Sequence, residues 1–460
     1  LLKGPAVFNP IRPFLSVLRL CRARIEARWH TLRPAQKLIL GFASYVVTGV
    51  LLLSLPVSQK LHVSVIDNLF NVTSAISTTG LTTVSVADSY SFPGQLILLL
   101  LFQFGGIGYM TVSSFIILAR GNPLSASRLD ILQAEFALPR DFNIRSFVRN
   151  VVLFTLVIES LGILLLYGEF RQAGVHQPLW SATFHCVSAF ATAGFGLHNN
   201  SLCDFAHNPV VCATIGTLCY LGSIGFIVIQ DAWHAIRYRR YHITFTSKVI
   251  LVTTAAIFLI ATPIFALTDP SLLALPLGTR WLAAAFQVMT ASTTAGFNTV
   301  PIEALAPATL TLTIVIMVIG ASPSGTGGGI KTTSFSSLMA ILLSITRGRQ
   351  HITFLGHEIP LARLLSAVAS ITLYLSCLTV GLFLLCLFEP KPYIDLAFEA
   401  TSALGTVGLS MGITSALTLA GKLILTSLMF IGRVGPLTIG LALLEQKTVQ
   451  RVPHSADLAV

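Results

Sequence analysis

Apolar residues run along this chain in long uninterrupted blocks, separated by short polar stretches. A helix needs about 20 apolar residues to cross a hydrocarbon core. Eight blocks meet that length and predict membrane-spanning helices at 36–55, 96–118, 148–167, 209–231, 248–267, 309–346, 364–388 and 422–444. The sixth is too long for one span. It contains Gly320-Ala321-Ser322-Pro323-Ser324-Gly325-Thr326-Gly327-Gly328-Gly329-Ile330-Lys331, and no regular helix survives that many glycines and a proline. Irregular backbone at membrane depth is tolerated only where protein buries it or water reaches it. The pattern therefore predicts an internal loop facing a cavity, and one grossly broken span among the eight.

Within each pair of spans lies a semi-polar stretch too short to cross: 70–81, 184–195, 286–297 and 398–409. Aligned on Gly80, Gly194, Gly296 and Gly408, these share Phe ten positions before the glycine, Ser or Thr six before, Ala five before and Thr two before. Leu or Phe follows. The glycines are 114, 102 and 112 residues apart, which marks an internal repeat. The second spans repeat as well: Gly105-Gly106-Ile107-Gly108 matches Gly222-Ser223-Ile224-Gly225 and Gly432-Arg433-Val434-Gly435, with Gly320 opening the third copy. The expected fold is an all-α polytopic membrane protein, with four helix–re-entrant pore loop–helix repeats around one central pore and eight transmembrane helices. The boundaries are a basic N-terminal segment 1–34, repeats at 35–119, 120–231, 232–346 and 347–445, and a tail 446–460. Asp67, Ser181 and Asp395 are expected to cap the short loop helices, with Ala283 in the third place.

Composition sharpens this picture. Of 460 residues, 54% are hydrophobic and 10% charged, against about 25% charged in soluble proteins. An ordinary soluble enzyme and a disordered chain are excluded. Lys and Arg number 29 against 18 Asp and Glu, a net +11. Of the 29, 22 fall in five segments: up to Lys37, 120–149, 237–248, 347–363 and after Leu444. The positive-inside rule places both termini and these loops in the cytoplasm. The charge thus reads as topology, not as a nucleic-acid footprint. Seven cysteines without a CxxC imply neither zinc site nor disulfide framework. The first 34 residues lack a clean apolar core, so no cleavable signal peptide is expected.

The loops carry the candidate chemistry. A short helix running inward to each glycine would point its negative C-terminal end at the axis. Glycine lets the next backbone turn and present carbonyls, and a ring of carbonyls can replace the hydration shell of a monovalent cation. The candidate ligands are Thr78, Thr79 and Gly80; Thr192, Ala193 and Gly194; Thr294, Ala295 and Gly296; and Thr406, Val407 and Gly408. No charged residue occupies the six positions ending at any of these glycines, which argues against a divalent or anion filter. Thr406-Val407-Gly408 is also a fragment of the potassium-filter sequence. Mere packing by small residues leaves the fourfold Thr–x–Gly match unexplained.

With these motifs, residues 36–445 resemble the Trk/Ktr/HKT superfamily of cation transporters, most like the Ktr-type potassium uptake membrane subunit. The resemblance rests on the four loops, on Phe430-Ile431-Gly432-Arg433-Val434-Gly435-Pro436-Leu437-Thr438, and on Gly329-Ile330-Lys331-Thr332-Thr333. It implies channel-like K+ transport through the twelve filter residues, with Na+ as a modulator. It implies an intramembrane gate involving Gly320, Gly325, Gly327, Gly328, Gly329, Lys331 and Arg433. It further implies a homodimer in the plasma (inner) membrane, docked on a cytosolic nucleotide-binding regulatory ring of the KtrA/TrkA kind. No catalytic activity, nucleotide on this chain or nucleic-acid partner is expected. All four loops keep glycine, unlike plant members with serine in the first; the second loop, Ala191-Thr192-Ala193-Gly194, departs from the usual pattern. A Na+ or nonselective monovalent path is the alternative. A Ser324/Lys331 intramembrane enzyme lacks fixed geometry. Lys331 follows Ile330 rather than glycine, against a P-loop. Inverted-repeat transporters are set aside because the units share one orientation and one span is grossly broken. Among charges at membrane depth, Arg433 is expected to face the cavity under the filter, with a helix-to-helix salt bridge as the alternative. Glu159 is expected to bond loop-helix backbone, and His185 to pack. The basic loops 120–149 and 237–248 read as docking surfaces or lipid anchors.

Overall fold

The computed structural model of the chain describes residue 32, residues 34–108, 144–238 and 242–443, and isolated positions between 111 and 129. The N-terminal segment, most of the 120–149 loop and the tail after 443 lie outside the described residues, so the expectations placed there do too. The described chain is overwhelmingly helical. Its helices are α1 (Pro34–Leu53), α2 (Val65–Ile76), α3 (Phe92–Ile107), α4 (Ile144–Gln172), α5 (Pro178–Phe190), α6 (Pro209–Ser223), α7 (Phe226–Arg237), α8 (Phe245–Thr268), α9 (Leu277–Thr293), α10 (Pro307–Val318), α11 (Thr332–Thr346), α12 (Leu361–Phe388), α13 (Tyr393–Leu404), α14 (Leu419–Val434) and α15 (Pro436–Leu443), besides shorter turns. A two-stranded hairpin pairs Thr353–Phe354 with His357–Glu358.

α1, α4, α8 and α12 are long and apolar enough to cross a membrane. Their outer faces expose Leu51, Leu161, Leu164, Leu259, Leu365 and Phe383. Water penalises such a surface and hydrocarbon does not. The short helices α2, α5, α9 and α13 invert this pattern. They are buried, yet carry Asn71, Ser74, Ser188, Thr290 and Ser402 inward. A protein that is apolar outside and polar inside fits a bilayer around a polar centre.

Each short helix packs between two neighbours in its own unit, and each unit touches the next through its third helix. α3 packs on α5, α6 on α9, α10 on α13, and α14 returns to α2. The repeated sequence columns are the packing of this cycle. Phe70, Phe184, Phe286 and Phe398 are buried, as are Ala75, Ala189, Ala291 and Ala403 and the residues after the glycines, Leu81, Phe195, Phe297 and Leu409. In lipid, close packing rather than hydrophobic transfer holds helices together. A Cβ on Gly105, Gly222 or Gly432 would collide with the carbonyl oxygen of Ile76, Phe190 or Leu404 respectively. Those glycines let α3, α6 and α14 lie directly on the last turn of α2, α5 and α13.

Two expectations are corrected. The 309–346 segment is broken as predicted, between α10 and α11, but it is not alone. The 209–231 segment divides into α6 and α7, bent by 98°, and the 422–444 segment divides into α14 and α15. The breaks fall at Gly225 (φ 95°) and Gly435 (φ 92°), and α3 ends at the equivalent Gly108 (φ 90°). Only glycine takes that backbone cheaply, and it ends the α-helix. The caps also differ. Ser64 caps α2, with Asp67 in its first turn. Pro392 precedes α13, with Asp395 inside, while Ser181 and Ala283 lie within α5 and α9.

One ion pair links the last unit to the first: Lys422 Nζ on α14 lies 2.7 Å from Asp67 Oδ1 on α2. Burial pushes the Asp67 carboxyl up, but hydrogen bonds from Lys422 and Ser64 outweigh it and hold the group below its ordinary value. The stability this contributes is present above the unfolded carboxylate pKa of about 4 and is lost as pH falls through the folded value. Lys422→Met is therefore expected to lower the thermal midpoint of the purified protein at pH 7. The gap between parent and variant should close below about pH 4, as read by thermal denaturation across pH.

Candidate ion-binding site

The four short helices end alike. After α2, Thr78 turns left-handed (φ 54°), its N–H bonds Ala75 O at 3.1 Å, and Thr79 N–H bonds Ser74 O at 2.8 Å. The same bond runs from Ala193 N to Ser188 O (2.8 Å), Ala295 N to Thr290 O (3.0 Å) and Val407 N to Ser402 O (2.8 Å). This is a Schellman cap, whose left-handed position is usually glycine. Here it is Thr78, Thr192, Thr294 or Thr406, with φ between 50° and 57°. A β-branched residue in that region is an outlier, at a cost of about 1–2 kcal/mol. Strain repeated at one place in four units marks that place as functional.

Two residues on, the glycines meet. A Cβ on Gly80 would lie 2.7 Å from Ala193 O, on Gly194 2.9 Å from Ala295 O, and on Gly296 2.5 Å from Val407 O; on Gly408 it would strike Thr79 O. The four glycines thus close a cycle, each against the carbonyl that precedes the next. All four have positive φ, from 68° to 104°. Ser74 Oγ accepts the Gly80 N–H and Ser402 Oγ accepts the Gly408 N–H, both at 3.0 Å. Those two donors are thereby occupied on the helix side, which accounts for the hydroxyl six before the glycine in the first and fourth units; Ser188 Oγ and Thr290 Oγ1 are buried and make no such bond.

The glycine-rich loop lies across the four threonines. Thr78 Oγ1 donates to Thr326 O at 3.1 Å, and Thr192 Oγ1 and Thr326 Oγ1 are 2.9 Å apart. Gly327 abuts Thr294 Oγ1, and Gly328 abuts Thr406 Oγ1. Gly320 packs on Gly328 and Gly329, while Gly325 packs against Ser223 O. Lys331 Nζ folds back to donate to Gly327 O at 2.7 Å. Arg433 donates from one guanidinium nitrogen to Thr326 O and Thr78 Oγ1, and from the other to Gly105 O. A cavity of about 830 Å³ opens against this loop and is lined by Lys331, Arg433, Tyr45 and Tyr374 but by none of the twelve ring residues. The loop therefore stands between ring and cavity.

All nineteen sequence-predicted site residues fall in this one assembly. Sequence reasoning missed Thr326, which contacts two of the four threonines, and the left-handed backbone of those threonines. It also misplaced Glu159, whose Oε2 accepts from Gln103 Nε2 of α3 at 3.0 Å, not from a short-helix backbone. His185 is buried and stacks on His198 with centroids 4.8 Å apart. Among the described residues, no cluster of His, Cys, Asp and Glu could hold a metal ion.

A helical membrane protein whose repeats bring glycines and neighbouring carbonyls together at one polar centre fits the class of cation transport proteins. Residues 33–451 match the family described as TrkH, cation transport protein, and the chain belongs to that family: it is a transporter and not an enzyme. It is 34% identical over 427 residues to Ktr system potassium uptake protein B of Vibrio alginolyticus, covering 92% of this chain and 94% of that one. It is 32% identical to the potassium/sodium uptake protein NtpJ of Enterococcus hirae, covering 93% and 96%. Among solved structures, the potassium transporter TrkH of Vibrio parahaemolyticus superposes with a TM-score of 0.68 at 19% identity, covering 88% of this chain and 83% of that one, a likeness of fold.

Thr406 Oγ1 is buried with no hydrogen-bond partner, so Thr406→Gly removes backbone strain without losing a bond. It is expected to stabilise the purified protein by about 1 kcal/mol while weakening discrimination among monovalent cations. Thermal denaturation and competitive uptake check the two halves.

Proposed function

We propose that this chain is a channel-like potassium uptake subunit whose selectivity filter is the ring built by Thr78–Gly80, Thr192–Gly194, Thr294–Gly296 and Thr406–Gly408. The observation that carries this reading is the closed cycle of glycines, each against the carbonyl before the next. Four units arranged head to tail in equivalent contact argue for a common orientation around one pore, and against two inverted halves. Each unit contributes a long span and a second, glycine-broken span, eight in all. Both termini lie in the cytoplasm of a cell with this protein in its plasma (inner) membrane, as the lysine and arginine pattern supports. The relative named for potassium uptake supports K+ as the ion. The relative named for potassium and sodium uptake keeps a Na+ or mixed path as the second reading, and Na+ as a modulator.

In this reading the glycine-rich loop is the gate and Arg433 its latch. The guanidinium ties the Thr326 carbonyl to Gly105 on α3, and its positive charge opposes a cation leaving the filter. Conduction requires the loop to leave the threonines, and glycine-rich backbone with few side-chain contacts moves at low cost. A homodimer with one pore per chain, docked on a KtrA/TrkA-like ring, provides the control. The basic segments at 120–149 and 237–248 are its docking surfaces.

Uptake of K+ and Na+ into proteoliposomes, or by a cell lacking potassium uptake, tests the filter. The parent is expected to prefer K+, and Ser at Gly80, Gly194, Gly296 or Gly408 to reduce that preference at least tenfold. Unchanged preference in all four variants would remove the filter assignment. Arg433→Ala is expected to raise K+ flux several-fold at equal expression; flux and regulation equal to the parent's would contradict the latch.

A further inference from the structure

One residue in each short helix remains unexplained by the ring: the position directly after the loop phenylalanine, nine before the glycine. It holds Asn71, His185, Gln287 and Glu399. All four are buried polar side chains at membrane depth, where a polar group is costly unless it is used. Each reaches the backbone that leaves the filter glycine. Thr83 N–H donates to Asn71 Oδ1 at 3.1 Å, Leu197 N–H to His185 Nε2 at 3.4 Å, and Met411 N–H to Glu399 Oε1 at 3.0 Å. In the third unit the sense reverses, and Gln287 Nε2 donates to Val300 O at 3.3 Å. The partners stand 12, 12, 12 and 13 residues downstream.

Resting on the filter reading above, we propose that Asn71, His185, Gln287 and Glu399 are positioning residues: struts that set the spacing of the filter carbonyls by pinning the strand beyond each glycine. The chemistry differs in each unit but the job is one. His185 Nδ1 is 2.7 Å from Ser181 O; a carbonyl only accepts, so that nitrogen carries the proton and Nε2 is left as the acceptor. Asn71 is itself fixed, its Nδ2 donating to Tyr90 Oη at 3.0 Å. Glu399 is the most heavily used of the four. Its Oε1 also accepts from Ser410 Oγ, and its Oε2 from Thr414 Oγ1 at 3.0 Å. A filter that discriminates by geometry needs carbonyls held in place, and these bonds hold them from behind.

The test separates reach from charge. Glu399→Gln keeps the side-chain length and an acceptor oxygen for Met411 but removes the charge. Glu399→Asp keeps the charge but withdraws it by one methylene. Both are measured with Asn71→Ala for K+ against Na+ uptake in proteoliposomes of the full chain. Glu399→Asp and Asn71→Ala are expected to lose K+ preference about tenfold, the effect of one buried hydrogen bond left unmade. Glu399→Gln is expected to stay within about twofold. Parent-like preference in Glu399→Asp, or a loss in Glu399→Gln as large as in Glu399→Asp, overturns the strut role. If the filter-glycine variants lose preference while Glu399→Asp does not, the struts fall and the filter stands. If the glycine variants too are unchanged, the filter reading falls first.

Discussion

Everything in this molecule is arranged around one steric constraint: four backbone segments must approach one another closely enough for a glycine Cα of each to touch the next. A single Cβ at Gly80, Gly194, Gly296 or Gly408 would overlap a neighbouring carbonyl. The third helices obey the same constraint one layer out, where Gly105, Gly222 and Gly432 rest on the final carbonyls of the short helices. Side chains are excluded from both layers, so what faces the centre is backbone. Backbone carbonyls are fixed dipoles, and four helix C-terminal ends add partial negative charge to the same place.

The crowding also explains why strain is placed where it is. To bring the carbonyls round, the chain must turn left-handed at the helix end, and the residue making that turn is threonine in all four units. Glycine would do so without cost. Threonine supplies a hydroxyl at the inner rim, and two of these hydroxyls meet Thr326 of the crossing loop. The glycine-rich loop is thus seated against the most constrained part of the molecule. Arg433 joins the loop and α3 through carbonyl acceptors and the turn after the first short helix through the Thr78 hydroxyl, which gives one side chain a hold on three elements.

Much of this was legible in the sequence because the repeat is written in residues whose role does not vary. Phenylalanine, alanine and glycine recur at fixed offsets, since each fills the same packed or side-chain-free position in every unit. The long outer helices were legible from hydropathy alone. Two things were hidden for physical reasons. Local propensity argues against threonine in a left-handed turn, so tertiary closure overrides it and no local pattern announces it. The break at Gly225 was hidden because glycine inside an apolar run is compatible with a continuous helix, whereas the break at Gly435 was signalled by the Pro436 that follows it and was missed. The buried polar column was invisible for the opposite reason: Asn71, His185, Gln287 and Glu399 share a hydrogen-bonding task but no residue type. Glu159 was misassigned because its partner, Gln103, belongs to a helix that only the fold brings near.

The most direct measurement is anomalous diffraction from crystals of the protein grown or soaked with Tl+, a potassium mimic with a strong anomalous signal. Tl+ density is expected on the axis between the carbonyls of Thr79, Ala193, Ala295 and Val407, displaced by K+ and not by Na+ at equal concentration. Density confined to another site, or an axial peak that Na+ displaces as readily as K+, would contradict a potassium-selective carbonyl ring.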